Sequence, residues 1–201
     1  MQTIACRRER RHITVPAKMR FLFKRTKAWA LLLTVLLHPL AAAAQKVSLC
    51  ATEEKTFFSC SIYKKAVSLC GSADLSESVG YLRYVFGPPG REPELVYPRA
   101  RTHPKNAFTT GLYSLGSTSA ISNFQFSIGE NVYTLYHYQS ANAPTNLFGI
   151  AVGKAADSMA PDRLTYLKCN RSSVAGNFVW ADKLQIPDVE MKKRVHWPAF
   201  D

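Results

Sequence analysis

Residues 121–140, ISNFQFSIGENVYTLYHYQS, carry the clearest structural signal in this chain. Polar and apolar residues alternate on both sides of Gly129, a pattern that predicts two antiparallel strands joined by a tight turn. With the turn at Gly129-Glu130, one face contains the more apolar pairs and is expected to meet the core. That face pairs Phe126 with Tyr133, Phe124 with Leu135 and Ser122 with His137; the other face pairs Gln125 with Thr134, Asn123 with Tyr136 and Ile121 with Tyr138.

Similar runs of aromatic and β-branched residues recur along the chain, separated by turn clusters such as Gly87–Gly90. No helical apolar period is sustained between residues 46 and 169. These signals predict an all-β fold, a single antiparallel barrel or sandwich of about seven to nine strands. The predicted strands are 57–63, 66–70, 81–86, 94–97, 108–115, 121–127, 131–140, 148–152 and 164–169, with Gly149 as a candidate bulge.

The first 44 residues have the organisation of an export signal. Basic residues in 24–27 precede the apolar run 28–40, and Ala41–Ala44 supplies small residues for a cleavage site. The run is shorter than a membrane span, so we expect a signal peptide over 1–44 and no integral membrane span after cleavage. A buried N-terminal helix and an uncleaved anchor are the alternatives. Met19 is a possible true start, because a compact basic region would then begin the chain.

The net charge of +12 belongs mostly to this leader. It contains nine of the 26 basic residues and one of the 14 acidic residues, so it contributes +8 and residues 45–201 contribute +4. A modest charge after cleavage disfavours a nucleic-acid partner. We therefore expect a product that is periplasmic or secreted.

Removal of the leader leaves four cysteines, Cys50, Cys60, Cys70 and Cys169. An even number in an oxidising compartment predicts two disulfides. Three connectivities are possible; we favour Cys50–Cys60 with Cys70–Cys169, because the second bond would tie the last strand to the first sheet. The spacings lack the short cysteine pairs of structural zinc sites, so no metal is expected.

Residues 45–169 form the predicted disulfide-tied β-domain, and residues 170–201 form a C-terminal extension that is helical or irregular. Within the extension, 178–184 is expected to be a short helix or strand. Residues 188–195 have the acid-first, base-last order of a short helix. Trp197 and Phe200 either pack back on the domain or belong to a loose tail.

Five segments carry a resemblance to known proteins: Leu49-Cys50, Phe58-Ser59-Cys60, Leu69-Cys70, Gly80–Gly87 and Glu94–Pro98. They resemble a group of small exported bacterial proteins of unassigned activity, which implies a shared β fold and export but no catalytic residue. The chain is also loosely similar, in size and architecture, to the periplasmic inhibitors of c-type lysozyme. Those inhibitors insert a Ser-Gly loop into the lysozyme cleft, whereas residues 116–120 here place Gly before Ser.

No catalytic motif follows the leader. The chain lacks the G-x-S-x-G and H-E-x-x-H motifs and any phosphate-cradling or calcium-binding loop, so no catalytic residue and no cofactor are expected. His137 is interpreted as a half-buried strand residue, and Glu53-Glu54 as a solvated turn. A hydrolase would need a site that the fold assembles around His137 or Glu54.

The best candidate for a binding surface consists of Arg83, Asn123, Tyr136 and Tyr138. Arg and Tyr are favoured at protein and sugar contacts because they combine apolar area with hydrogen bonding. The alternative is that these are ordinary sheet residues covered by the C-terminal segment.

These features favour a non-enzymatic exported binding protein of the bacterial cell envelope, whose partner is a protein or an envelope glycan. One version of this function is inhibition of a wall-degrading enzyme. A glycan-acting hydrolase and a structural envelope protein are the alternatives.

We expect N-terminal sequencing of the exported protein to begin at Gln45, because the charged, apolar and small-residue regions come in the order that signal peptidase requires. An exported chain that retains the apolar run would contradict cleavage. A precursor peptide containing Cys6 would refute the start at Met19.

Overall fold

The structure, a computed structural model, describes residues 47–142, 146–157 and 160–189. The predicted leader, most of the predicted helix at 188–195, and Trp197 and Phe200 lie outside these residues. The predictions made for those segments stay predictions.

Ten strands occur in the part of the chain that the structure describes, and the all-β prediction is confirmed. Nine of them coincide with the predicted segments to within a few residues. The tenth has only two residues and lies in a stretch without alternation, so its sequence carries no strand signal. The strands are β1 Lys55–Ile62, β2 Lys65–Gly71, β3 Leu82–Gly87, β4 Leu95–Tyr97, β5 Thr109–Leu115, β6 Ser119–Ile128, β7 Asn131–Ser140, β8 Leu147–Lys154, β9 Thr165–Lys168 and β10 Ala175–Gly176.

The strands form two five-stranded antiparallel sheets, so the sandwich is the form of the all-β fold that the chain adopts. The first sheet has the order β10-β1-β2-β3-β4, and the second has the order β5-β6-β7-β8-β9. Aromatic side chains from the two inner faces meet between the sheets. The ring of Tyr84 lies 4.9 Å from that of Phe126, and the ring of Phe58 lies 5.4 Å from that of Phe148.

The β6–β7 register agrees with the prediction at every pair, including Phe124 with Leu135 and Asn123 with Tyr136. Phe124 and Leu135 are fully buried in the main core, as expected for the more apolar face. Truncating one such core side chain typically costs about 2–5 kcal/mol. The hairpin is therefore both the clearest sequence signal and a main contributor to the core.

The disulfides join Cys50 to Cys70 and Cys60 to Cys169. The favoured pairing of Cys50 with Cys60 and Cys70 with Cys169 is therefore wrong. Side chains alternate between the two faces of a strand, so Cys60 shares the inner face of β1 with Phe58 and Ile62 and faces the second sheet. In β2, Cys70 follows the core residue Leu69, so its side chain points to the outer face of the first sheet.

The segment that precedes β1 covers this outer face of the first sheet. The Leu49 amide donates a hydrogen bond of 2.9 Å to the Ser68 hydroxyl, and Cys50 bonds to Cys70. As a result, Ser68 and Cys70 are fully buried although they point away from the main core.

The C-terminal extension returns to both sheets. Residues Val179–Leu184 form a 3-10 helix, which confirms a short helix there, and Ala181 and Leu184 belong to the main core. Farther on, the Thr110 amide donates to the Pro187 carbonyl at 2.9 Å, and the Val189 amide donates to the Thr110 carbonyl at 2.8 Å. The extension is thus held at the free edge of β5.

Among the described residues, no helix has the length and apolar character needed to cross a membrane.

Removing the Cys60–Cys169 disulfide is expected to destabilise the protein more than removing Cys50–Cys70. The first bond links residues separated by 109 positions and the second by 20. In the chain-entropy model these loops correspond to about 5 and about 3 kcal/mol. Urea unfolding of the Cys60→Ser/Cys169→Ser and Cys50→Ser/Cys70→Ser double variants measures the difference, and an equal loss would contradict the loop-length argument.

Candidate functional site

The predicted binding residues Asn123, Tyr136 and Tyr138 share the outer face of the second sheet. Asn123 and Tyr136 are 2% and 0% exposed, so the expectation that they form an exposed surface is wrong for these two. Tyr138 is partly buried, and its hydroxyl lies 3.3 Å from that of Ser119. A role for these residues in binding stays a prediction.

Tyr136 belongs to a second, smaller apolar cluster on this face. Its ring packs with Ile121 and Ala151 and lies 6.5 Å from the ring of Tyr166. Burial raises the pKa of the Tyr136 phenol to about 12, so the phenol is neutral at physiological pH. The cluster therefore contributes packing to the second sheet.

The Tyr136 ring explains why a glycine occupies position 149. Gly149 pairs with Tyr136 in a continuous β7–β8 ladder, so the candidate bulge at Gly149 is wrong. A side chain there would collide with the Tyr136 hydroxyl and the Leu167 carbonyl oxygen. The glycine makes room for a neighbouring aromatic side chain.

Arg83 lies on the other sheet, and its guanidinium is engaged by Glu54. Its Nε donates to Glu54 Oε1 at 3.0 Å, and its terminal nitrogen bonds the same oxygen. The Glu54 side chain is 0% exposed and that of Arg83 23%, so the solvated-turn interpretation is wrong for Glu54. Glu53, with a side chain that is 63% exposed, does face solvent. The Glu54–Arg83 pair links the segment before β1 to the first sheet. Separating the two side chains would leave the buried Glu54 carboxylate without a compensating charge, which is costly.

A concave site of about 550 Å³ lies between the second sheet and the C-terminal extension, and we call it the C-terminal cavity. Its walls come from β5–β8 and from the segment 176–188. Its residues are Thr110, Gly111, Leu112, Ser122, Asn123, His137, Gln139, Asn146, Phe148, Gly176, Asn177, Phe178, Val179, Ala181, Asp182 and Asp188. Of the four predicted binding residues, only Asn123 borders it, and strand alternation directs the Asn123 side chain to the opposite face from Ser122.

His137 is the titratable group most enclosed by this cavity. It is 8% exposed, its ring stacks on Phe148 with the centroids 4.0 Å apart, and its Nε2 lies 3.3 Å from Asn146 Oδ1. Burial lowers the pKa of the imidazole below 6.5, and the hydrogen bond to Asn146 opposes that shift. The ring is therefore neutral at physiological pH. The predicted strand position of His137 is confirmed, but its side chain is buried and not half-buried.

The chemistry available around His137 favours binding over nucleophilic attack. Ser122 lies opposite His137 in the β6–β7 ladder, but the described residues show no hydrogen bond between the two. The Nε2 atom of His137 instead forms a hydrogen bond with Asn146 Oδ1. No group of three His, Cys, Asp or Glu residues in the described part is placed to hold a metal ion.

Sequence reasoning missed most of the cavity. Asn146, Asp182 and Asp188 lie in loops or a 3-10 helix, where no periodic pattern marks a residue as part of a site. The available signal was the position of His137 at the less apolar end of the core face of β7. That signal identifies one wall but not the segment opposite it.

Comparison with known protein families, curated proteins and solved structures finds no match to this chain. The resemblance to exported bacterial proteins therefore stays a prediction.

The free energy of unfolding is expected to fall between about pH 7.5 and pH 5.5 because of His137. Its folded-state pKa is lowered by burial, so in this range the unfolded chain binds more protons than the folded one. Urea unfolding at the two pH values should show a smaller loss for His137→Gln than for the wild type.

The matched control is His103→Gln, since the His103 ring lies outside the cavity and contacts the Ser76 carbonyl oxygen at 2.9 Å. This variant should show the same fall in the free energy of unfolding between the two pH values as the wild type. An unchanged pH dependence in His137→Gln would count against the assignment.

Proposed function

We propose that this chain is an exported binding protein of the bacterial cell envelope and that it holds a glycan in the C-terminal cavity. The observation that carries the proposal is the cavity itself, which has a volume of about 550 Å³ and combines aromatic, amide, hydroxyl and carboxylate side chains. A volume of this order is typical of small-ligand sites, which occupy roughly 300–1,000 Å³.

The lining fits a ligand rich in hydroxyl groups. Gln139, Asn146 and Asn177 contribute amides, each of which has both a donor and an acceptor. Phe148 and Phe178 contribute apolar surface, with their rings 6.0 Å apart and nearly perpendicular. Alternating polar groups and apolar ring faces are also what a saccharide presents, so both kinds of contact are available to it.

The disulfides support an exported protein. Two bonds with cysteine Cα separations of 5.2 and 5.7 Å are consistent with an oxidising compartment, since such bonds are rare where thiols are kept reduced. Together with the predicted leader, they support a periplasmic or secreted location.

A glycan-acting hydrolase is the second candidate, and one observation favours it. His137, Asp182 and Asp188 line the same cavity, so titratable groups from distant segments converge there. General acid–base chemistry requires such convergence. The engagement of His137 with Asn146 and the stacking of its ring on Phe148 favour a binding role.

A protein partner, including a wall-degrading enzyme to be inhibited, is favoured by a different surface. Tyr63 is 93% exposed at the tip of the β1–β2 hairpin, beside Lys64. Its backbone has φ of 53°, an uncommon conformation for a bulky residue. An exposed Tyr on a short turn is suited to protein contact.

Isothermal titration with soluble fragments of wall glycan is expected to show saturable binding to the wild type. Gln139→Ala and Asn146→Ala should each weaken it about two- to tenfold, the effect of one lost hydrogen bond. The control is Asn106→Ala, an exposed amide outside the cavity, which should bind as the wild type does.

Two further assays on the same protein samples distinguish the alternatives: analysis of the glycan for cleavage, and the activity of added lysozyme. Release of shortened glycan would identify a hydrolase, and loss of lysozyme activity without glycan binding would identify a protein partner. Equal binding by all the variants would place the glycan outside the cavity and overturn the proposal.

A further inference from the structure

The charged side chains on the described walls of the C-terminal cavity are both acidic. Asp182 and Asp188 line it, and no Lys or Arg of the described residues does. Neither carboxylate forms an ion pair with the described residues. This local sign is opposite to the net charge of +4 that residues 45–201 carry. The negative charge of the cavity therefore comes from its own lining residues and not from the overall charge of the chain.

Both carboxylates are held by backbone that is anchored in the fold. Asp182 follows the buried Ala181 in the 3-10 helix Val179–Leu184. Asp188 stands between Pro187 and Val189, whose backbone groups bond to Thr110 on both sides. The backbone that carries the two aspartates is therefore fixed on the C-terminal wall.

The facing wall carries no opposing charge among the described residues. It presents neutral polar groups from Ser122, Gln139 and Asn146, together with His137, which burial keeps neutral at physiological pH. A bound anion would meet two carboxylates without a compensating cation, whereas a bound cation would neutralise them. The described walls of the cavity thus present net negative charge to a ligand.

We propose that the C-terminal cavity selects a saccharide carrying an ammonium group, an amino sugar that is not N-acetylated, over neutral and anionic saccharides. This inference rests on the proposed glycan-binding function and specifies its ligand class. The amides and hydroxyls of the cavity bind the sugar hydroxyls, and Asp182 and Asp188 receive the ammonium group.

Three chito-oligosaccharides of equal length test the selection, because they share one backbone and differ only at the amine. The free-amine form is cationic, the N-acetylated form is neutral and the N-succinylated form is anionic. Isothermal titration at low salt, at a pH where the sugar amine is protonated, should rank their affinities in that order. The cationic form should bind about two- to thirtyfold more tightly than the neutral one, as expected for two exposed ion pairs.

The Asp182→Asn/Asp188→Asn variant is expected to bind the cationic and the neutral oligosaccharide with equal affinity, because the two carboxylates that distinguish them are removed. Both residues are exposed, and the near-isosteric change leaves their backbone contacts in place. Asp74→Asn, an exposed carboxylate outside the cavity, is the matched control and should keep the full preference. For the wild type alone, about 1 M salt should narrow the gap, because it shortens the screening length to about 3 Å.

The failures are distinguishable. In the wild type, neutral binding equal to or tighter than cationic binding overturns the charge selection and leaves glycan binding in place. The same conclusion follows if the double variant keeps the full preference or if high salt does not narrow it. Failure of all three oligosaccharides to bind overturns both proposals.

Discussion

Aromatic side chains packed between the two sheets hold the sandwich together. Tyr84 and Phe58 of the first sheet meet Phe126 and Phe148 of the second, and the Cys60–Cys169 bond ties the two layers beside them. The two-residue period of a strand decides which side chains take part. The same parity that places Phe58 inside places Cys60 inside, so the inter-sheet disulfide follows from the packing.

The cavity forms where the apolar character of the inner face ends. Along β6 the inward positions change from Phe126 and Phe124 to Ser122, and along β7 they change from Leu135 to His137. The segment 176–188 returns over this end of the second sheet and supplies Phe178 to the core and Asp182 to the cavity. Residues from distant parts of the chain are thus brought around one polar space.

Both outer faces are largely buried, and this changes the roles of the residues on them. On the first sheet, Arg83 holds Glu54 and the N-terminal segment that covers Ser68. On the second sheet, Tyr136 packs in a cluster of its own. The polar or aromatic character that suggested contact sites in the sequence is used for packing inside the domain.

Alternation and turn residues were sufficient to predict nine of the ten strands, the turn at Gly129-Glu130 and the register of β6 with β7, because these signals act over a few neighbouring positions. The disulfide partners, the burial of Asn123 and Tyr136, and the placement of His137, Asp182 and Asp188 around one cavity emerge only from the folded structure. Each of these depends on which sheet face lies against which distant segment. The alternation of residues along a strand indicates which side chains share a face. It does not indicate which distant segment covers that face.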